Sequence, residues 1–285
     1  MTVELIPAER QRLWGRLAVA NFFLGGAGAG GYVVAVILWG LERAPVLALA
    51  SVFGPLLVLS GFLCVAAEVG RPLRGFRVLS RVRSSWMSRE LWAGGLFIAG
   101  AGADLFLPWV GFQIVALWAA LLLLLAQGSI LSEARGVAAW DSPLLPFVFV
   151  SSGLATGAGF LGIVSAPLIG GESARLLSSA AGLVLLSGGG WIAYRAWPGD
   201  AAFREATRPL RERPANVGIL GIGHALPLLL LLTAFWVPQR SAGFLALGGV
   251  AILIGALWAK AALVLRAGQL RPITLPTLSV RRSGS

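Results

Sequence analysis

The stretch EVGRPLRGFRVLSRVRSSWMSREL, from Glu68 to Leu91, separates two long apolar runs and carries six of the chain's 23 lysine and arginine residues. An acidic residue stands at each side of this basic loop, Glu68 before it and Glu90 after it. Both acids lie where an apolar segment ends, and an ionisable group at such a position in a membrane is costly and usually functional. The sequence therefore predicts chemistry beside a basic loop that is held at a membrane surface.

The composition is that of a membrane protein. Hydrophobic residues make up 57% of the chain and charged residues 12%, and the mean hydropathy is +0.83, whereas a soluble domain has about 25% charged residues. The net charge of +11 does not indicate nucleic-acid binding, because the basic residues lie in short loops beside apolar spans, as membrane topology requires. No removable signal peptide is expected, because the N-terminal segment carries acidic residues and no small-residue cleavage site.

The inventory of metal and redox ligands is poor. Cys64 is the only cysteine, which excludes an internal disulfide and an iron–sulfur cluster held by this chain alone, since a cluster needs about four ligands. His224 is the only histidine, which excludes a bis-histidine haem. We expect no metal bound by this chain.

Eight segments are apolar over roughly the 20 residues that a membrane span needs. They predict eight transmembrane helices at 13–39, 46–69, 91–107, 109–131, 143–169, 176–197, 215–237 and 243–267. Twenty lysine and arginine residues then fall on the side shared by both termini, and three fall on the other side, at Arg43, Arg175 and Arg240. Positive residues collect in the cytoplasm, so a bacterial or archaeal plasma membrane protein with cytoplasmic termini and cytoplasmic basic loops is predicted.

A weak internal repeat relates the two halves of the chain. The segment FFLGGAGAGG at 22–31 is echoed by SSGLATGAGF at 151–160, four spans later. Two parallel four-helix bundles are the architecture that this spacing favours. We divide the chain into a first bundle at 1–140, a second at 141–270 and a cytoplasmic tail at 271–285. The alternative is that small residues simply recur where membrane helices pack.

The first span presents a flat face made of Asn21, Gly25, Gly28 and Tyr32, which follow one another at helical spacing. Such a face can receive either a neighbouring helix or a planar ring. Asn21 lies well inside the span, where its amide must find a hydrogen-bonding partner. A ligand face and a helix-packing face both stay open at this point.

Polar residues of all four first-half spans converge on the loop side. Glu68 and Arg71 are three residues apart, so they form an ion pair or, alternatively, a proton-exchanging acid with its positioning cation. Ser88 and Glu90 at the start of the third span and Gln127 late in the fourth reach the same depth. This convergence is typical of a ligand pocket.

The second half offers fewer candidates. His224 and Lys260 lie several residues inside spans seven and eight, where they could relay protons. The alternatives are an interhelical hydrogen bond for the histidine and a lysine that extends to the surface. Asp104, at the far end of span three, is expected to be a solvated interfacial residue.

The segment from Gly70 to Leu91, the glycine run NFFLGGAGAGG and the eight spans resemble the membrane anchor subunits of the DmsC/NrfD superfamily, which includes PsrC-like proteins. These are quinone-binding subunits of complex iron–sulfur molybdoenzymes. Some relatives have a histidine near the start of span one or the end of span two, where this chain has Asn21 and Glu68.

The resemblance implies menaquinone or ubiquinone bound in the first bundle. It also implies electron exchange with a four-cluster ferredoxin-like iron–sulfur subunit, attached in turn to a molybdopterin subunit with molybdenum or tungsten. In this interpretation Glu68 or Glu90 exchanges the protons of the quinone, and the residues Asn21, Gly25, Gly28, Arg71, Ser88 and Gln127 hold it. The partner would dock on charged and aromatic residues of the loop, Arg74, Arg77, Arg81, Arg83 and Trp86.

Two other functions fit the pattern. A secondary transporter would bind its substrate near the midplane between two repeats. A purely structural anchor would carry no quinone chemistry, so its electron transfer would survive replacement of Glu68 and Asn21.

Overall fold

The computed structural model describes residues 2–40, 42–69, 80–168 and 173–276. Eight long helices run through them: α1 Arg16–Trp39, α2 Pro45–Val69, α3 Trp86–Phe106, α4 Val110–Ser132, α5 Leu145–Val164, α6 Ser173–Ala196, α7 Arg213–Trp236 and α8 Ser241–Ala261. Short helical segments lie at Ala138–Trp140, Ala201–Ala206, Arg208–Leu210, Pro238–Arg240 and Ala262–Arg266. Two strands, β1 Thr2–Ile6 and β2 Ile273–Pro276, pair in antiparallel fashion.

Among the described residues, seven of the long helices are long and apolar enough to cross a membrane, all but α3. The predicted helical, multi-pass membrane architecture is therefore confirmed. Helix α3 is less apolar because Arg89, Glu90 and Asp104 fall within its 21 residues. It nevertheless packs against α2 and α4. The prediction that it also crosses the membrane, which would make eight spans, is not tested by this composition.

Helices α1 and α5 approach each other through glycine. The Cα of Gly153 lies against Gly26, and a Cβ added to Gly157 would collide with the backbone of Gly30 and Gly31. Small residues allow this close backbone approach, which stabilises helix pairs in lipid. The contact joins the two segments, 22–31 and 151–160, in which the sequence predicts a repeat. The division into two bundles and a tail stays a prediction.

The expectation that Asp104 is solvated is wrong. Its side chain is only 4% exposed and lies 3.4 Å from the guanidinium of Arg43. Arg43 reaches it from the turn between α1 and α2, where its φ of 48° is in the left-handed region. A carboxylate shielded from water is strongly destabilised without a nearby cation. Arg43, in this turn, therefore pairs with the Asp104 carboxylate, which the sequence predicted to be in contact with water.

Both ends of the chain meet in a terminal clasp, made of β1, β2 and the side chain of Arg271. The Arg271 guanidinium donates to Asp200 and, at 2.6 Å, to Asp141, and its Nε donates to the Arg135 carbonyl. The clasp ties the termini to the loops after α4 and α6. It also places the strands β1 and β2 on one side of the molecule, as an even number of spans requires.

The clasp is expected to weaken in acid. The hydrogen bond from Arg271, together with the N–H of Phe203, holds the pKa of Asp200 below its ordinary value. A group with a lowered pKa stabilises the fold above its unfolded pKa of about 3.9 and loses that contribution as pH falls through the folded pKa. Because these side chains are partly exposed, we expect this interaction to contribute no more than about 1 kcal/mol to the free energy of unfolding.

The free energy of unfolding of the wild type and of Arg271→Met, compared between about pH 6 and pH 3, measures this effect. The advantage of the wild type shrinks below about pH 4 if Asp200 is the titrating group. A difference that stays constant over the whole range would contradict this assignment.

Candidate functional site

Three polar side chains from three helices meet near the loop side of the first half. Asn21 of α1 donates from Nδ2 to Oε1 of Glu90 at 3.0 Å, and Gln127 of α4 donates from Nε2 to the same oxygen at 3.4 Å. All three are at least 93% buried. We call Asn21, Glu90 and Gln127 the amide–carboxyl cluster. It brings together residues that the sequence predicts at one depth.

Gly25 makes the position of Gln127 feasible. A Cβ on Gly25 would collide with the amide of Gln127, so the missing side chain leaves room for this amide against α1. There its Nε2 also donates to the backbone carbonyl of Asn21 at 3.3 Å. The predicted flat face is therefore filled at Gly25 by a polar side chain.

Further along the same face, Gly28 packs against the Gly54 carbonyl of α2. At this level the face receives a helix, as the helix-packing alternative predicted. Tyr32 is buried against Phe97, with ring centroids 5.2 Å apart. Helix α2 thus covers the predicted ligand face at Gly28, and only the loop-side end of this face, near Asn21, borders other groups.

A partly open cavity lies beside the amide–carboxyl cluster. Its polar lining consists of Asn21, Glu68 and Glu90. The remaining wall is apolar and aromatic, with Leu13, Trp14, Ala18, Phe22, Val65, Met87 and Ile130. An apolar pocket with a few convergent polar groups is the usual form of a small-molecule site. The cavity is bounded by the start of α1, the end of α2, the start of α3 and the end of α4.

Glu68 reaches this cavity from α2 and also holds the start of α1. Its Oε1 accepts the backbone N–H of Gly15, the residue before the helix, at 2.5 Å. The first N–H groups of a helix lack partners within it, so Glu68 acts as a cap supplied by another helix. The predicted partner Arg71 lies outside the described residues, and the ion pair stays a prediction.

The predicted docking residues are described in part. Arg74 and Arg77 lie outside the described residues, whereas Arg81 and Arg83 are exposed on the loop side. Trp86 is partly buried and carries the Arg89 guanidinium over its ring, 4.2 Å from the centroid. Arg89 also donates to the carbonyls of Val82 and Arg83, which closes the loop onto the start of α3.

Other members of the predicted set lie apart from the cavity. Ser88 is fully buried on α3 but does not line the cavity. His224 and Lys260 lie in the second half, on α7 and α8, where each has a hydroxyl partner, Ser187 and Ser152 respectively. Lys260 is 2% exposed, so the alternative of a lysine that extends to the surface is wrong.

The aromatic wall of the cavity was missed from sequence. Trp14 packs on Phe22 and on Trp140, with ring centroids 5.5 Å apart in both cases. Tryptophan at the edge of a span usually marks the membrane interface. The sequence therefore indicated the depth of Trp14 in the membrane but not its position in a cavity wall. Its contact with Trp140, far away in the chain, could be found only by folding. Among the described residues, no group of three or more metal-binding side chains occurs.

Comparison with known proteins gives a match in the first half of the chain. Residues 14–127 match a family model described as DMSO reductase anchor subunit (DmsC). The matched segment contains the whole amide–carboxyl cluster, Glu68 and nearly all of the cavity wall. No curated protein matches the chain.

Proposed function

Since residues 14–127 match the DmsC anchor family, we propose that this chain is an anchor of the DmsC/NrfD type and the quinone-reactive subunit of its complex. The family and the apolar helices make it a multi-pass membrane anchor of an oxidoreductase complex. A molybdenum oxidoreductase with an iron–sulfur subunit is the partner that the family implies. The proposal adds that menaquinone or ubiquinone exchanges electrons with that iron–sulfur subunit at the cavity beside Glu90.

One observation carries the proposal: a buried carboxyl, held by two amides, borders an apolar cavity in the matched segment. The residues also suit a quinone head group. Asn21 Oδ1 is buried and has no hydrogen-bond partner among the described residues, so it can accept from a hydroxyl group of the reduced form, the quinol. A quinone supplies redox chemistry in which electrons and protons move together, which calls for a proton-exchanging group beside the ring.

Each side chain at the cavity then has a separate role. Glu90 takes up or gives the proton, and general acid–base action of this kind contributes about 10²–10⁴-fold to a rate. Asn21 and Gln127 fix the orientation of the carboxyl group. Trp14 and Phe22 keep water from the cavity and present aromatic surface to a planar ring. Glu68, on the opposite wall, is a second proton-exchanging candidate that is already engaged with Gly15.

The docking surface follows from the position of the cavity. The chain has one cysteine and one histidine, so it has no set of ligands for an electron carrier of its own, and the quinone must lie close to the partner. Arg81 and Arg83 are exposed next to the cavity's α3 wall. Together with Arg74, Arg77 and Trp86 they would meet an acidic surface on a four-cluster ferredoxin-like subunit. The molybdenum or tungsten subunit would attach beyond it.

We propose that this docking side faces the cytoplasm, because positive residues collect on the cytoplasmic side of membrane proteins and arginine is in excess in these loops. Pairing of β1 with β2 is consistent with that proposal, because it keeps both ends of the chain on one side.

Isolation of the chain from its native membrane in mild detergent tests the proposal. We expect an iron–sulfur subunit, a molybdopterin subunit and bound quinone to accompany it, and added quinol to reduce the clusters of the complex. A complex that assembles but does not react with quinol would support the purely structural anchor. A chain isolated without partners would favour the transporter.

A further inference from the structure

The second half contains two residues that occur once in the sequence. Lys260 is the only lysine, since the other 22 basic residues are arginine, and His224 is the only histidine. Both lie inside apolar helices, and Lys260 is 2% exposed. Lysine and histidine can change protonation near neutral pH when their surroundings shift them, whereas arginine cannot. The only two basic side chains of this chain that can exchange a proton near neutral pH are therefore both in the second half.

The hydrogen bonds of His224 define its tautomer. Its Nδ1 is 2.7 Å from the backbone carbonyl of Ile219, and because a carbonyl only accepts, Nδ1 carries the proton. In the neutral ring, Nε2 then accepts from the hydroxyl of Ser187 at 3.0 Å. When Nε2 gains a proton it becomes a donor, and the Ser187 hydroxyl must turn its own proton elsewhere. His224 and Ser187 thus form a pair with two hydrogen-bonding states.

Lys260 has few partners for a buried ammonium. Its Nζ donates to Ser152 Oγ at 3.4 Å and lies 5.4 Å from the centre of the Phe149 ring. Among the described residues no carboxylate pairs with it. An ammonium has three donors, and Ser152 accepts from only one of them. The remaining N–H groups of Nζ can donate to a water molecule.

A narrow, mostly apolar cavity lies beside His224 and reaches Ser152, the hydroxyl partner of Lys260. Its polar lining consists of the serine partners of both residues and two further side chains, Ser152, Ser187, Thr156 and His224. It has room for about one water molecule, and such a site needs two to four polar partners, which these residues supply. Helix α7 is π-helical over Val217–Ala225, around His224. Interruptions of this kind are frequent at functional sites.

We propose that Lys260 and His224 are the two ends of a proton relay through one water molecule in this cavity. A proton leaves Lys260 Nζ beside Ser152 and arrives, by way of the water and the Ser187 hydroxyl, at His224 Nε2. One N–H bond breaks, another forms, and no electrons move. The relay deepens the proposed function, on which it relies only for the source of the protons. Its existence as a coupled pair does not depend on a quinone.

The helices around the cavity carry few other titratable groups. On α6, Tyr194 donates to the carbonyl of Ala139, and Arg195 donates to Asn216; both are about two turns from Ser187. Helices α5 and α1 present no titratable side chain to the cavity. Of the side chains that line the cavity, His224 is therefore the titratable one on which the charge of Lys260 can act.

The single histidine and the single lysine allow a direct test. The full chain, labelled with ¹⁵N-histidine and ¹⁵N-lysine in lipid nanodiscs, gives one imidazole and one ammonium site for magnetic resonance. We expect both signals to change over a shared pH range. Lys260→Met is expected to move the pH at which the imidazole nitrogens change by about one unit, as for strongly interacting groups.

Serine variants provide the control. Ser187→Ala removes the hydroxyl beside Nε2 and is expected to alter the imidazole signals, whereas Ser178→Ala, at an exposed position on the same helix, leaves them unchanged. The relay is overturned if the imidazole titration is the same in Lys260→Met and the wild type, or if the ring nitrogens do not titrate at all. Neither result would affect quinol reactivity, so failure of the relay and failure of the proposed function are distinguishable.

Discussion

Glu90→Gln is expected to lower quinone-linked electron transfer by the assembled complex about 10²–10⁴-fold. Glutamine has nearly the same shape as glutamate, and its carbonyl oxygen can still accept the hydrogen bonds from Asn21 and Gln127. What it loses is the ability to take up and release a proton. The geometry of the cavity is therefore kept, while the proton exchange is removed. Stopped-flow reduction of the partner's clusters by added quinol measures the loss.

Glu133→Gln is the matched control. Glu133 ends α4 and is exposed, so its replacement removes a carboxylate from the same helix bundle without touching the cavity. We expect wild-type rates from it. Equal rates in Glu90→Gln and the wild type would show that Glu90 is not the proton-exchanging group, and Glu68→Gln, which keeps an acceptor for the Gly15 N–H, would then be the next variant to measure.

Gly157→Val is expected to prevent stable packing of the two halves. A Cβ at this position would meet backbone atoms of Gly30 and Gly31, which cannot move aside as the end of a flexible side chain can. Helices α1 and α5 would have to separate along their whole contact. We expect a loss of about 3 kcal/mol or more in the free energy of unfolding, at the upper end for overpacked sites. Unfolding of the purified chain in bicelles measures it.

Gly182→Val makes the same chemical change on α6, where nothing lies within 4 Å of an added Cβ. Any cost from placing valine in a helix is shared by both variants, so their difference reports on packing alone. We expect the Gly182 variant to remain within about 0.5 kcal/mol of the wild type, as surface substitutions generally do. Similar stability of the two variants would mean that α1 and α5 are not held in close contact.

Several features could be read directly from the sequence. Long apolar runs predict membrane helices because each span must satisfy its own backbone hydrogen bonds in lipid. The glycines of 22–31 predict a close helix contact because only small residues permit one. Polar residues recurring near one depth, such as Asn21, Glu90 and Gln127, predict a shared pocket. These inferences depend on composition and on position along a helix, which are local properties.

Other features depended on which helix lies beside which. Asp104 was expected in water because it lies near the end of a span, but the Arg43 side chain is folded over it. The sequence could not show that Glu68 accepts the N–H of Gly15, the residue before α1, because these two residues lie far apart in the chain. The residues from Asn21 to Tyr32 were predicted to form one flat face. In the structure, the amide of Gln127, the backbone of α2 and the ring of Phe97 contact successive levels of this face.

The sequence by itself thus determined the membrane class, the family resemblance and the residues of the amide–carboxyl cluster. The tertiary structure decided their partners: the cap made by Glu68, the contact of Trp14 with Trp140, and the small cavity beside His224 and Ser152. The physical reason is that helical periodicity determines only which residues lie on the same face of a helix. Which neighbouring helix that face meets, and at what height, is decided by side-chain volumes on both helices, and these come from segments far apart in the chain.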